Sequence, residues 1–171
     1  MRTPAEVMEK AFNHQPSKIF ACYSGGNDSL VSTHWALENG WAHEVLHINT
    51  GIGVDEPNGL SVEEIVRETC KSYGWPLLVQ SPQTSYRKLV LKFGFPGPGA
   101  HYLPYRLLKE RCIRRVVKNH KIHTFDRIGL ITGVHQQESA RRMGYVEPIF
   151  RVGCQLWIAP LWNWSPVEFA A

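Results

Sequence analysis

The chain has 171 residues and only four cysteines, Cys22, Cys70, Cys112 and Cys154, no two closer than 42 positions. That spacing excludes the C-x-x-C pairs of zinc ribbons and iron–sulfur sites and leaves four separate thiols, of the kind that pack as small core residues. A disulfide framework is not needed either, because a domain of this length buries roughly 70% of the surface its unfolded chain exposes. No stretch approaches the roughly 18 consecutive apolar residues of a membrane span, and Met1 to Lys18 lacks the basic-then-apolar layout of a secretory leader. Internal repeats and low-complexity tracts are also missing. The expectation is therefore one domain over residues 1–171, cytoplasmic and without a membrane partner. A large excess of one charge is absent too: the net charge is +4, which does not describe a protein that coats nucleic acid along its whole surface.

The charge that is present is concentrated. Between His101 and Lys121 stand seven cations (Arg106, Lys109, Arg111, Arg114, Arg115, Lys118 and Lys121) against the single acid Glu110, a local balance of +6 that leaves the remainder at −2. Such a segment suits an anionic partner at one place.

Apolar periodicity orders the elements. Lys18–Tyr23 predicts a strand ending in a glycine turn, and Leu30, Val31, Trp35 and Leu37 continue as a helix closed by Asn39-Gly40. A second strand is expected over His43–Thr50, ending at Gly51. Ser61 followed by Glu64 is a capping box opening a helix over Val62–Tyr73. Leu77–Gln80 reads as a third strand and Ser85–Phe93 as a helix broken by the Gly/Pro-rich stretch at 93–99. The basic helix spans about Tyr105–His120, a fourth strand Arg127–Thr132 ends at Gly133, and Phe150–Ile158 predicts one further strand. Ser165-Pro-Val-Glu168 opens a helix with only six residues left after Ser165, so either it docks tightly or the natural chain continues. Alternating strands and helices imply an α/β fold, a doubly wound, mostly parallel sheet with helices on both faces. Ligands of such sheets bind beyond the carboxyl ends of the strands, where Ser24–Gly26, Thr50–Gly51 and Thr132–Gly133 would converge.

Ser24-Gly25-Gly26-Asn27-Asp28-Ser29 lies between the best strand and a good helix. Paired glycines let a backbone approach an anion closely, successive amide N–H groups form a concavity, and the helix start adds its positive dipole end. Ser24 and Ser29 add hydroxyl donors. The same residues also suit an ordinary tight turn with Asp28 as a helix cap, and both readings stay open on the glycines alone. The GxxxxGK[ST] phosphate loop is excluded by spacing and by the lack of a lysine.

SGGNDS resembles the SGGxDS pyrophosphate-binding loop of the N-type ATP pyrophosphatases, the PP-loop superfamily, and of its phosphoadenosine phosphosulfate (PAPS) reductase family, where it grips the phosphates of an adenine nucleotide. HINTGIGVDE at 47–56 is similar to the reductase branch's second strand, which typically ends in Asp-Thr-Gly. GVHQQESARR at 133–142 is similar to its GxRxxES-type loop, where serine and arginine meet the nucleotide. The basic RLLKERCIRRVVK stretch and APLWNWSPVEF at 159–169 resemble later parts of the family, so the resemblance covers residues 18–169. It implies an adenine nucleotide alpha hydrolase-like fold binding ATP or PAPS. By the same resemblance Ser24, Gly25, Gly26, Asn27, Asp28, Ser29, Thr50, Gly51, Gly133, Glu138 and Ser139 surround the nucleotide, with Arg115 reaching it from the basic helix. Arg141 and Arg142 would clamp a phosphate or sulfate, and Asp28 would touch Mg²⁺ if that ion takes part. Three positions depart from the pattern: Asn27 where many members carry Lys, Asn49 where Asp is common, and His135 where Arg is common. Two lost positive charges weaken the hold on a polyanion unless Mg²⁺ or the basic helix compensates.

The chemistry implied is open between two reactions. Sulfonucleotide reduction in this family uses a cysteine in a Glu-Cys-Gly-x-His motif, which these 171 residues do not contain; the last cysteine lies in VGCQL. The superfamily's commoner reaction is attack of an acceptor oxygen on the α-phosphate of ATP with pyrophosphate release, in which the protein positions groups and stabilises charge. A thiol donor such as thioredoxin, or a cysteine desulfurase, is the partner implied, and a homodimer is compatible. Cys112, among Lys109, Arg111, Arg114 and Arg115, is either a reactive thiol or a core-facing cysteine. Two readings of other classes remain: a nucleotide-binding accessory subunit without turnover, and a nucleic-acid-modifying PP-loop protein that uses Arg111, Arg114, Arg115 and Lys118. His43 and His47, four apart on a strand, share a face without making a metal site.

Overall fold

The computed structural model describes residues 2–52, 60–97, 99, 101–136 and 147–170. At its centre is β1 (Pro16–Cys22), an apolar run buried on both faces. β2 (Glu44–Ile48) and β3 (Leu77–Gln80) extend the sheet to one side. β4 (Arg127–Ile131), β5 (Ile149–Val152) and β6 (Gln155–Ile158) extend it to the other. The order is β3-β2-β1-β4-β6-β5, parallel throughout except for the antiparallel β5–β6 pair. The doubly wound, mostly parallel expectation holds.

Alternate residues of the central strands bury into opposite layers, as the two-residue period of a strand requires. Ile19 and Ala21 of β1 and Ile131 of β4 pack with Val7, Met8 and Ala11 of α1 (Pro4–Phe12) and Ala36 of α2 (Asn27–Glu38). Phe20, Ile128 and Leu130 face the other way, onto Ile113, Val116 and Val117 of α6 (Arg111–His120). Each large side chain so buried contributes roughly 1.5–3 kcal/mol relative to exposure. Gly129 is required in this packing: a Cβ there would lie 2.9 Å from the Ile19 side chain across the β1–β4 register.

The other helices begin where their caps dictate. Thr3 caps α1 through a capping box with Glu6, and Ser61 caps α3 (Val62–Tyr73) through one with Glu64, while Gly74 ends α3 at φ +68°. Ser85 caps α4 (Tyr86–Phe93). Ser165 and Glu168 make the same reciprocal bonds at α7 (Pro166–Ala170), whose Phe169 is buried against Trp164 and His135. The short helix therefore docks.

Two expectations are corrected. Phe150–Ile158 is not one strand but the β5–β6 hairpin, because Gly153 turns the chain in the left-handed region at φ +60°. The basic helix starts earlier than Tyr105, as α5 (Tyr102–Tyr105), and passes through a π-helical turn at Arg106–Glu110 before α6. Pro104 has no N–H to donate within this stretch.

Candidate functional site

The strand order reverses between β1 and β4, and ligands of open α/β sheets bind beyond the strand ends at such a switch point. The chain leaving β1 there is the Ser24–Ser29 turn. Gly25 takes φ +91°, which a side chain would strain, and a Cβ on it would lie 2.8 Å from Cγ1 of Val62. Gly26 is the N-cap of α2 and offers no side-chain cap bond, so the first-turn N–H groups of this twelve-residue helix stay available to an acceptor. The turn is braced from inside: the Ser24 N–H donates to Ser29 Oγ (3.1 Å), the two hydroxyls lie 2.9 Å apart, and Ser29 Oγ donates to the Gly26 carbonyl (2.8 Å). Ser24 and Asn27 are exposed.

Gly133, just beyond β4, presses against this turn. A Cβ on Gly133 would overlap the Asp28 carbonyl oxygen, lie 2.5 Å from its carbonyl carbon and 2.8 Å from the Ser29 nitrogen. The loop after β4 and the first turn of α2 thus touch backbone to backbone. Asp28 is not the helix cap, which is Gly26; its Oδ2 instead lies 3.7 Å from Nε2 of His135. His135 is buried and packs on Phe169, and its Nδ1 has no partner among the described residues.

Beyond β2, Thr50 and Gly51 form the neighbouring edge, with Gly51 at φ +67°. Asn49 Oδ1 accepts from the Gly51 N–H (2.9 Å), and its amide donates to Glu63, whose carboxylate also receives Arg67 Nε (2.7 Å). Arg67 first, and then Asn49, hold the Glu63 carboxyl below its ordinary range. The departure at Asn49 thus has a local reason: a carboxylate there would face Glu63, whereas the amide donates to it. His47 is buried beneath, and burial holds its imidazole below the ordinary value. Its Nδ1 lies 2.9 Å from the Tyr23 carbonyl, which only accepts, so that nitrogen carries the proton. Ile19 N–H donates to Nδ1 of His43, and no cluster of three metal-ligating side chains occurs among the described residues.

Thr50, Gly51, Gly133 and the Ser24–Ser29 turn therefore meet at one end of three adjacent strands. Arg115 does not join them: it donates to the Ser81 carbonyl (3.3 Å) past β3, two strands from β1. Glu138, Ser139, Arg141 and Arg142 lie outside the described residues. Cys112 is fully buried, and burial raises its thiol pKa above the ordinary value, so the core alternative is the one seen. Its spacing with Ile113, Val116 and Val117 carried that signal. Lys109, in the π-helical turn, was missed as a site candidate. Exposed itself, it lies close enough for its charge to act on Cys22 at the end of β1 and on His47.

The fold is thus a doubly wound α/β sheet whose switch point carries a paired-glycine turn and a helix start without a side-chain cap. Residues 18–169 match the phosphoadenosine phosphosulfate reductase domain, and the chain belongs to that family and hence to the PP-loop superfamily. Among solved structures it is similar to the phosphoadenylyl-sulfate (PAPS) reductase from Candida auris in its phosphate complex, at a TM-score of 0.65 and 19% identity, covering 99% of this chain and 77% of that one. That likeness is one of fold. Comparison with curated proteins finds no match.

Proposed function

We propose that the chain is an enzyme acting on an adenine nucleotide, PAPS or ATP, whose phosphates rest on the Ser24–Ser29 turn. The observation that carries this reading is the turn itself: a Gly25-Gly26 pair and an uncapped helix start, locked by Ser24 and Ser29 and backed by Gly133 at the switch point. Amide donors fixed before a phosphate arrives need no reorganisation as charge develops on it, which is the form of stabilisation that phosphoryl and sulfonucleotide chemistry both use. Membership of the reductase family supports the sulfonucleotide side of the reading, and the similar reductase from Candida auris holds phosphate.

In this reading the turn binds the phosphates, Asp28 and His135 stand at its edge, and Lys109 supplies the nearby positive charge. Asp28 offers one carboxylate, the share that Mg²⁺ held mainly through substrate phosphates asks of a protein. Arg141 and Arg142 complete the clamp on phosphate or sulfate. With PAPS, a thiol donor such as thioredoxin would serve as reductant; with ATP, an acceptor oxygen would displace pyrophosphate.

Calorimetric titration with ATP, PAPS and adenosine 3′,5′-bisphosphate, with and without Mg²⁺, tests the proposal alongside pyrophosphate release. Binding of at least one nucleotide is expected, and failure of all three sinks it. Tight bisphosphate binding without pyrophosphate release assigns the reductase branch; Mg²⁺-dependent release assigns adenylyl transfer.

A further inference from the structure

The helix α6 runs along the sheet against the direction of the strands. At its end the His120 ring meets Phe20 of β1 edge-on, with centroids 5.0 Å apart, and Arg115, nearer its start, reaches the Ser81 carbonyl just past the end of β3. Lys109 stands a further six residues before Arg115, about 9 Å at the rise of a helix, so the π-helical turn at Arg106–Glu110 projects past the carboxyl ends of the strands. Those are the ends at which the glycine turn and Gly51 lie.

Within that overhang, Lys109 and Tyr105 continue backwards the stripe of Ile113 and Val116 that covers the sheet, since residues three and four apart share a helix face. Beyond the strands the stripe has no sheet to cover, and both side chains are exposed, while Leu108 between them is buried and anchors the turn. The charge of Lys109 reaches Cys22 at the end of β1 and His47 near the end of β2, and the Tyr105 phenol lies close enough to Cys22 to interact with it. Two neighbouring strand ends thus locate the same overhang. Between Glu68 and Glu110 the chain carries no acid, and Glu110 itself is paired with Arg114, so no carboxylate of this stretch competes for the ammonium. Single π-helical turns inside helices recur at functional sites.

We propose that this turn is the second wall of the nucleotide site, where Lys109 and the Tyr105 hydroxyl grip phosphate or sulfate oxygens that face away from the glycine turn. The inference rests on the nucleotide reading above and names the groups that the glycine turn does not provide. The turn offers amides and hydroxyls but no cation, with Asn27 in place of the lysine many members carry and His135 in place of the common arginine. Lys109 supplies that charge from another element, and Tyr105 adds a donor one turn behind it. A cation and a neutral donor on one rigid helical segment hold an anion without ordering a loop.

The test titrates ATP, PAPS and adenosine 3′,5′-bisphosphate calorimetrically into the native chain and four variants. For whichever nucleotide the native chain binds, Lys109→Gln should weaken binding about 10-fold or more, and Lys109→Arg should recover most of the loss. Tyr105→Phe, which keeps the ring and removes only the hydroxyl, should cost about 3-fold. Lys118→Gln makes the same charge change further along α6 and should cost less than about 2-fold. A measurement on the native chain stays decisive if a variant misfolds: acetylation by an N-hydroxysuccinimide ester, followed by peptide mass, should be slowed at Lys109 about 5-fold or more by bound nucleotide and left unchanged at Lys118. Equal losses for Lys109→Gln and Lys118→Gln, or labelling of Lys109 that ignores bound nucleotide, overturns the second wall and leaves the nucleotide reading standing. A native chain that binds none of the three removes both.

Discussion

Asp28 is the residue at which the capping and site readings part. As the second residue of α2 it makes no capping bond; its carboxylate gains only the helix dipole and the distant His135 ring. A first-turn acid contributes about 0.3–1 kcal/mol, so Asp28→Ala should lower the melting temperature by no more than about 4 °C. Nucleotide titration of the same variant should show weakened binding; unchanged binding would remove Asp28 from the site. His47 makes a different prediction. Burial disfavours its charged form, so the unfolded chain takes up a proton near pH 6.5 that the folded chain refuses. Folding stability is therefore full above that pH and falls as the pH drops below it, down to the lower folded value. The Glu63 carboxyl, held below 4.5, titrates outside that window. Melting curves between about pH 7 and pH 5 should show the decline, and His47→Gln should flatten it, since glutamine still donates to the Tyr23 carbonyl but does not titrate there.

Among the elements, the contact between the loop after β4 and the start of α2 is the tightest, because it is made by backbone. Gly133→Ala places a methyl group on the Asp28 carbonyl and the Ser29 nitrogen, and peptide groups cannot swing aside as side-chain ends do. The variant should lose about 3 kcal/mol of stability in urea unfolding, together with nucleotide binding. Gly97→Ala is the control: a Cβ there meets nothing within 4 Å, so its effect should stay within about 0.5 kcal/mol. The basic stretch shows the reverse relation between element and site. The π-helical turn at Arg106–Glu110 and the following α6 distribute its cations instead of presenting one face. Lys109 acts near the ends of β1 and β2, Arg115 turns to Ser81 past β3, and Arg114, Lys118 and Lys121 lie beside Gly153, Cys154 and Gln155 of the β5–β6 hairpin.

For the molecule as a whole, the proposed site joins segments far apart in sequence, the turn after β1 and the loop after β4. A nucleotide bridging them stabilises only the folded chain, by about 2.7 kcal/mol at a concentration a hundred times its dissociation constant. Adenosine 3′,5′-bisphosphate at such a level should therefore raise the melting temperature by roughly 5–10 °C, and a flat response would contradict binding at this junction. Much of this was legible in the sequence. The apolar run before SGGNDS, the Ser61–Glu64 box and the glycine after each of three strands are local signals, set by steric freedom and hydrogen-bonding capacity within a few residues, and they located β1, α3 and the converging ends. The single strand expected over 150–158 failed because apolar pattern does not distinguish one strand from a hairpin whose turn rests on one left-handed glycine. Likewise the local charge around Cys112 suggested a reactive thiol, yet which way a helix faces is decided by the sheet it covers. Only the tertiary structure could bury Cys112, bring Lys121 to Cys154, set Gly133 against Asp28 and place His135 beside the same carboxylate. Those contacts join residues that the chain alone holds tens of positions apart, and their energy comes from packing rather than from any local preference.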